Sequence, residues 1–202
     1  MIIHYHLIMK SWPKARELGQ LQDIIKDFFN SFNINVKPIF HNDNFDTLVV
    51  YYESQNIEEQ ELREFFNSLK NDLNYDVVVL LLENHSLNEG INFLNVYEPN
   101  KASPFLTTKD FLRFCLLNKK KLNKIYYKKV LGKFYNNFEL LLSIKKFIEN
   151  DLNVSESARL LYLHRNSLIQ RLDKFYVQTG YDVRKFNDAF IIYHIICDYL
   201  EV

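Results

Sequence analysis

The chain is poor in glycine and cysteine and has no long apolar run, and each shortage excludes a class of protein. Only four glycines occur among 202 residues, and they are too widely spaced to form a P-loop or a GxGxxG dinucleotide turn. The two cysteines, Cys115 and Cys197, have no Cys/His ligand spacing beside them, so we predict neither a disulfide framework nor a zinc site. No stretch approaches the roughly 18 consecutive apolar residues of a membrane helix, so we expect no membrane partner.

Catalytic and targeting signals are also missing from the pattern. The first residues lack a basic start and a small-residue cleavage site, so we expect a cytoplasmic protein without a signal peptide. His4 and His6 would share one face of a strand, but no third ligand accompanies them. No Ser/His/Asp or Cys/His set has supporting local context either. We therefore predict no catalytic residues, no metal, no cofactor and no enzymatic activity.

The net charge of the chain is zero, but its two halves carry opposite net charges. Residues 1–100 contain 7 Lys/Arg against 15 Asp/Glu, a net charge of −8, and residues 101–202 contain 18 against 10, a net charge of +8. A basic half is consistent with binding to a polyanion, although two ordinary solvated surfaces would give the same totals.

The first half is predicted to be a small α+β domain. Its apolar spacing alternates between the periods of strands and of amphipathic helices, in the order β-α-β-β-α-β. This order is typical of a split βαβ sandwich, with a four-stranded sheet covered on one face by two helices. We place the domain at residues 1–84 and a linker at 85–107, which is rich in Asn and Pro. The predicted elements are strands at 2–9, 36–40, 47–52 and 76–82, and helices at 14–32 and about 62–73.

The second half, residues 108–202, is predicted to be all helical. Thr107 or Thr108 would cap its first helix, and seven lysines follow within residues 119–133. Apolar residues alternate with these lysines, so the segment is either an amphipathic helix with solvated charge or a surface that faces phosphates.

Residues 153–177 predict two short helices joined by a tight turn. Ser155 would cap the first helix, and the small Ala158 would let the second helix cross closely over it. His164 would cap the second helix, whose buried face repeats at steps of four and three through Leu168, Leu172 and Phe175.

In a helix-turn-helix, the start of the second helix enters the major groove of DNA. Arginine pairs with guanine, Asn or Gln pairs with adenine, and an apolar side chain contacts the thymine methyl group. The predicted base-reading residues are therefore Arg165, Asn166, Ile169 and Gln170. The predicted phosphate contacts are Ser155, His164, Ser167, Arg171, Lys174, Lys119, Lys120, Lys121, Lys124 and Lys128. Asp173 would repel phosphate, so we expect it to face away from the DNA or to pair with Lys174 or Gln170.

The same segment resembles the C-terminal helix-turn-helix of PucR/CdaR-type bacterial transcriptional regulators. Downstream, the Thr179-Gly180-Tyr181-Asp182 turn and the last helix are similar to the family's closing elements, so the resemblance covers about residues 130–202. The matching residues of the motif are Asn153, Ser155, Ala158, Leu161, Leu163, His164, Arg165, Asn166, Ser167, Leu168, Arg171, Leu172, Lys174 and Phe175.

The first half resembles, more loosely, the degenerate GGDEF-like domain that many of these regulators carry before the DNA-binding part. The element order agrees with that domain. At the position of an active cyclase's signature turn, residues 42–46 read Asn-Asp-Asn-Phe-Asp and lack the glycines that let nucleotide phosphate approach. The resemblance therefore implies no cyclase activity.

These observations predict a dimeric, sequence-specific regulator that binds double-stranded DNA. One helix-turn-helix contacts only a few base pairs, so specific affinity normally requires two copies. Two alternatives are open: a non-enzymatic regulator that binds a protein partner and no longer binds an operator, and a nucleotide sensor that uses the first domain.

Overall fold

The computed structural model describes residues 4–11, 18–34, 37–42, 45–53, 57–83, 87–96, 104–120, 122 and 124–200. The chain divides into two compact units, 1–111 and 112–202. The fold is α+β, as predicted.

The first unit follows the predicted order and then adds a helix and a strand. Its elements are β1 (His4–Ser11), α1 (Leu18–Ser31), β2 (Lys37–Asn42), β3 (Phe45–Glu53), α2 (Glu59–Asn71), β4 (Val77–Glu83), α3 (Leu87–Val96) and β5 (Phe105–Thr107). The strands form a sheet in the order β2-β3-β1-β4-β5. The pairs β2–β3, β3–β1 and β1–β4 are antiparallel, which is the arrangement of a split βαβ sandwich, and β5 runs parallel to β4.

One face of the sheet forms the core with α1 and α2. Alternation along β1 and β4 sends every second side chain to this face, where it meets the apolar faces of both helices. Leu7, Met9 and Val79 are buried there with Phe29 and Phe66. At the edge of this core the Phe28 and Phe65 rings stack with centroids 3.7 Å apart.

The opposite face of the sheet is covered by α3, so helices cover both faces of the sheet and not one face as predicted. The segment 85–107 was predicted to be a linker, but it contains α3 and β5, so residues of this segment belong to the first unit. Gly90 explains how α3 approaches so closely, because a Cβ atom at this position would lie 2.4 Å from Ile8 Cδ1 and 2.6 Å from Leu82 Cδ1. Lys10 extends from this face of β1 and donates to the Leu94 carbonyl at 3.1 Å. Burial lowers the pKa of the Lys10 amine.

Helix α4 (Thr108–Leu117) spans the boundary between the two units. Asp110 accepts hydrogen bonds from the backbone and the hydroxyl of Thr107, both at 2.9 Å, and these bonds fix the start of the helix. Cys115 is buried and Cys197 is half-buried, and neither forms a disulfide bond.

The second unit is helical throughout its described residues. It contains α5 (Lys124–Leu131), a short 3₁₀ turn (Gly132–Phe134), α6 (Phe138–Glu149), α7 (Val154–Leu160), α8 (Arg165–Thr179) and α9 (Phe186–Leu200). Helix α6 contacts α7, α8 and α9, and it contributes the buried Leu141, Ile144 and Phe147 to the core. Among the described residues, no helix is long and apolar enough to cross a membrane.

Candidate nucleic-acid interface

Asn153 is the N-cap of helix α7. The Asn153 side-chain oxygen accepts hydrogen bonds from the backbone N–H groups of Ser155 and Glu156, both at 3.1 Å. These bonds satisfy two of the donors that a helix start leaves free. The prediction that Ser155 caps this helix is therefore wrong, because the capping oxygen comes from two residues earlier. Ser155 lies in the first turn of α7 and is exposed.

The turn after α7 is closed by two backbone hydrogen bonds. Tyr162 N–H donates to the Arg159 carbonyl at 3.2 Å, and Leu163 N–H donates to the Ala158 carbonyl at 2.9 Å. This pair of bonds defines a Schellman motif, which reverses the chain within a few residues. Ala158 itself is 2% exposed, and α7 packs against α8.

Helix α8 begins at the predicted cap. His164 Nδ1 accepts a hydrogen bond from the Asn166 N–H at 3.2 Å. The predicted inner face is also confirmed, because Leu168, Leu172 and Phe175 are each no more than 1% exposed. The helix ends at Gly180, which adopts a left-handed conformation with φ 72°.

The opposite side of the first turns of α8 faces solvent. Arg165, Asn166 and Gln170 are exposed, whereas Ser167 and Ile169 are half-buried. The three exposed side chains therefore form a polar surface on a helix that is held by its buried face. His164 and Lys174 are exposed as well.

Arg171 has partners within the protein that its sequence context did not indicate. Its Nη1 donates to Ser143 Oγ at 2.7 Å, and its Nη2 lies 2.5 Å from Glu139 Oε1. Both partners lie on α6, so the Arg171 side chain connects α8 to the helix that opens the domain.

Asp173 has neither of the partners considered for it. Arg184 Nη1 donates to Asp173 Oδ1 at 2.7 Å, and Arg184 Nε donates to Asp182 Oδ1 at the same distance. Burial alone would raise the pKa of Asp182, but the hydrogen bonds and charge of Arg184 together hold it below its ordinary value. Arg184 thus ties α8 to the turn before α9.

The predicted lysines lie on and before α5. Lys119, Lys120, Lys124 and Lys128 are exposed, and Lys121 lies outside the described residues. Two of the lysines lie over aromatic rings, with Lys120 Nζ 5.1 Å from the centroid of Phe114 and Lys128 Nζ 5.5 Å from that of Tyr135. Helix α5 packs against α9 and the 3₁₀ turn, and α8 packs against α6, α7 and the same turn.

Two exposed residues of the helix pair were not singled out from the sequence. Arg159 on α7 is paired with Glu156, and this pair lowers the pKa of the glutamate and raises that of the arginine through side-chain hydrogen bonds. Tyr162 in the turn is 97% exposed. Arg159 lies within residues 153–175, but the motif does not specify the residue at its position. The exposure of Tyr162 had no sequence signal.

The described residues contain no group of three or more His, Cys, Asp or Glu side chains that could hold a metal ion. The side chains of His4 and His6 lie outside what the structure describes.

Comparison with known proteins identifies the helical domain. Residues 140–194 match the PucR C-terminal helix-turn-helix domain, which covers α7, α8 and most of α6 and α9. The second unit carries a PucR-type helix-turn-helix domain. The predicted resemblance is confirmed for this domain.

Two further similarities extend beyond the PucR-type domain. The chain is 34% identical over 116 residues to the uncharacterised protein YxkF of Bacillus subtilis, a match that covers 56% of this chain and 39% of that protein. The chain thus matches about two fifths of the length of this relative. The fold is similar to that of a regulator of polyketide synthase expression from Bifidobacterium adolescentis, with a TM-score of 0.59 and 12% identity over 98% of this chain and 80% of the other.

Proposed function

We propose that the protein is a sequence-specific transcriptional regulator that reads the major groove of double-stranded DNA with the first turns of α8. The observation that carries this proposal is the exposure of Arg165, Asn166 and Gln170 on a PucR-type second helix whose other face is buried. Arginine suits guanine, and the two amides suit adenine. Ile169 is half-buried, so we assign it at most an apolar contact with a thymine methyl group.

Phosphate contacts would fix the register of the helix on the duplex. Ser155, His164, Ser167 and Lys174 belong to the helix pair and are the nearest candidates along the chain to the base-reading residues. The α5 lysines, with Lys119 to Lys121 before them, would extend the basic surface. We assign Arg171 a positioning role instead, since α6 already holds its guanidinium.

We further propose that the active form is a homodimer without enzymatic activity that works in the cytoplasm. One recognition helix covers only a few base pairs, and two copies would reach half-sites about 34 Å apart. Static light scattering during size-exclusion chromatography measures this directly, and a single 24.3 kDa species at micromolar concentration would contradict the dimer.

Fluorescence anisotropy tests DNA binding with two duplexes, one from the region upstream of the protein's own gene and one scrambled. We expect tighter binding to the first duplex and a fall in affinity with rising salt. The Arg165→Ala/Asn166→Ala variant should bind both duplexes equally and weakly. Lys26→Ala and Gln22→Ala, changed together in the first unit, remove the same charge and a similar amide and should leave binding unchanged.

Weak, identical binding of the wild type to both duplexes would contradict the proposal. It would favour the alternative of a regulator that acts on another protein, for which the net charge of −8 on residues 1–100 supplies a surface able to attract a basic partner.

A further inference from the structure

Tyr162 is the most exposed of the large apolar and aromatic side chains that the structure describes. Its exposed fraction is 97%, and the next is Phe186 at 77%. The residue lies in the turn between α7 and α8, two positions before the His164 cap. Solvent therefore surrounds both the ring and the hydroxyl, so packing within the protein does not explain an aromatic residue at this position.

The backbone makes this choice of residue more unusual. Tyr162 has φ 54°, and its position in the Schellman motif is the one at which glycine is preferred, since a Cβ atom is disfavoured in the left-handed region. Within the same unit, α8 ends at Gly180 with φ 72°, whereas Asp151 and Leu152 after α6 have left-handed φ values of 53° and 59° without glycine. A tyrosine at 162 thus adopts a backbone conformation that is disfavoured for a residue with a Cβ atom. Such conformations cluster at functional sites.

Leu161 and Leu163, the immediate neighbours of Tyr162 along the chain, are half-buried, and exposed polar residues lie beyond them on both sides. Arg159 precedes it on α7, and the exposed His164, Arg165 and Asn166 follow it. In a helix-turn-helix the first helix crosses the DNA backbone and the second enters the groove, so the turn between them comes to the edge of the groove, where sugars and phosphates lie. A phenol hydroxyl is one of the groups that donate to phosphate oxygens.

We propose that Tyr162 contacts the sugar–phosphate backbone beside the major groove, with its hydroxyl donating to a phosphate oxygen and its ring lying against the deoxyribose. This inference rests on the proposed function and adds to it an uncharged contact that sets how α8 enters the groove. The contact depends on the shape of the backbone at one position rather than on base identity.

The test uses the full chain, four single variants and the two duplexes described above. Tyr162→Gly removes the ring and relieves the backbone, so its Tm should equal or exceed that of the wild type. Its DNA affinity should fall about three- to tenfold on both duplexes. The salt dependence of binding should keep its slope, because a neutral contact releases no counterions, whereas Lys174→Ala should reduce the slope.

The remaining two variants isolate the hydroxyl and supply a matched control. Tyr162→Phe keeps the ring, so it should lose only the part of the affinity that the hydroxyl provides. Tyr176→Phe changes the same residue type near the other end of α8, where the side chain is 43% exposed, and should bind DNA as the wild type does.

The outcomes separate this inference from the proposed function. If the wild type binds DNA and Arg165→Ala/Asn166→Ala loses specificity while Tyr162→Gly binds normally, the Tyr162 contact is wrong and the proposed function stands. A large fall in the Tm of Tyr162→Gly would also overturn the inference by giving the ring a structural role. Absence of salt-dependent DNA binding by the wild type would contradict both the Tyr162 contact and the proposed function.

Discussion

Arg171 on α8 and Glu139 on α6 form an ion pair across 32 residues of sequence, with Nη2 2.5 Å from Oε1. The same guanidinium donates to Ser143 Oγ, which is buried and itself donates to the Glu139 carbonyl at 2.8 Å. Because α8 carries the proposed base-reading residues, this connection fixes their orientation relative to the rest of the unit. Arg171, which the motif suggested for phosphate binding, thus connects α8 to α6.

Replacing Arg171 should therefore reduce the stability of the fold and leave the salt dependence of DNA binding unchanged. We expect Arg171→Ala to lower the free energy of unfolding by about 1–2 kcal/mol, from one hydrogen bond to a buried hydroxyl and a partly exposed ion pair. Arg165→Ala, which removes an equal charge from an exposed position of the same helix, should leave stability within about 0.5 kcal/mol. Urea denaturation measures both values.

The Arg171 variant also separates the two roles considered for this side chain. A positioning role predicts that Arg171→Ala leaves the salt slope of DNA binding unchanged and that Glu139→Ala reproduces most of its loss of stability. If Arg171→Ala instead reduces the salt slope by about 1, as expected for a lost phosphate contact, the positioning role is contradicted.

The start of α7 gives a second prediction, because two polar residues near it, Asn153 and Ser155, are candidates for the N-cap. Asn153 accepts both hydrogen bonds, so Asn153→Ala should cost about 1 kcal/mol of stability, and Asn153→Asp should keep most of it. Ser155→Ala should change stability by less than about 0.5 kcal/mol. Thermal unfolding followed by circular dichroism compares the three variants, and a larger loss for Ser155→Ala than for Asn153→Ala would refute the assignment.

The second unit shows which features the sequence could predict and which it could not. Helical spacing predicted the buried residues of α8 because packing one face of a helix requires apolar residues at steps of three and four. The caps His164 and Gly180 were predicted as well, since capping depends on residues near in sequence. The partners of Arg171 and Asp173 were not, because Glu139 and Arg184 are distant in sequence and only the tertiary fold brings them near.

Dependence on tertiary packing also explains why residues 85–107 were predicted to be a linker. Helix α3 has apolar residues on one face, but its Asn residues and Gly90 weaken the helical pattern. Its glycine is explained only by the approach to β1 and β4, and β5 is too short to show a periodicity of its own.

Gly90 supplies the third prediction. A Cβ atom at this position would overlap Ile8 and Leu82, whose side-chain ends must then move, so Gly90→Ala should destabilise the first unit by about 1–3 kcal/mol. The better helix propensity of alanine offsets up to about 1 kcal/mol of this cost. Hydrogen exchange, which reports each unit separately, should show faster exchange in β1 and β4 and no change in α8. Unchanged protection in β1 and β4 would contradict close packing at Gly90.

The last prediction concerns pH and the two ion pairs of Arg184. The pKa of Asp182 is lowered in the folded protein from its ordinary value of 3.8, because the hydrogen bonds and charge of Arg184 outweigh the effect of burial. A group whose pKa is lower in the folded state stabilises the protein above its unfolded pKa and loses this effect as the pH falls through the folded pKa. Arg184→Gln should therefore lower the Tm at pH 7, and the difference from the wild type should shrink below about pH 4 as the Asp182 carboxylate becomes protonated. Lys185→Gln removes a neighbouring charge without these hydrogen bonds and serves as the control. A Tm difference for Arg184→Gln that stayed constant from pH 7 to pH 2 would show that the guanidinium acts through packing rather than through its charge.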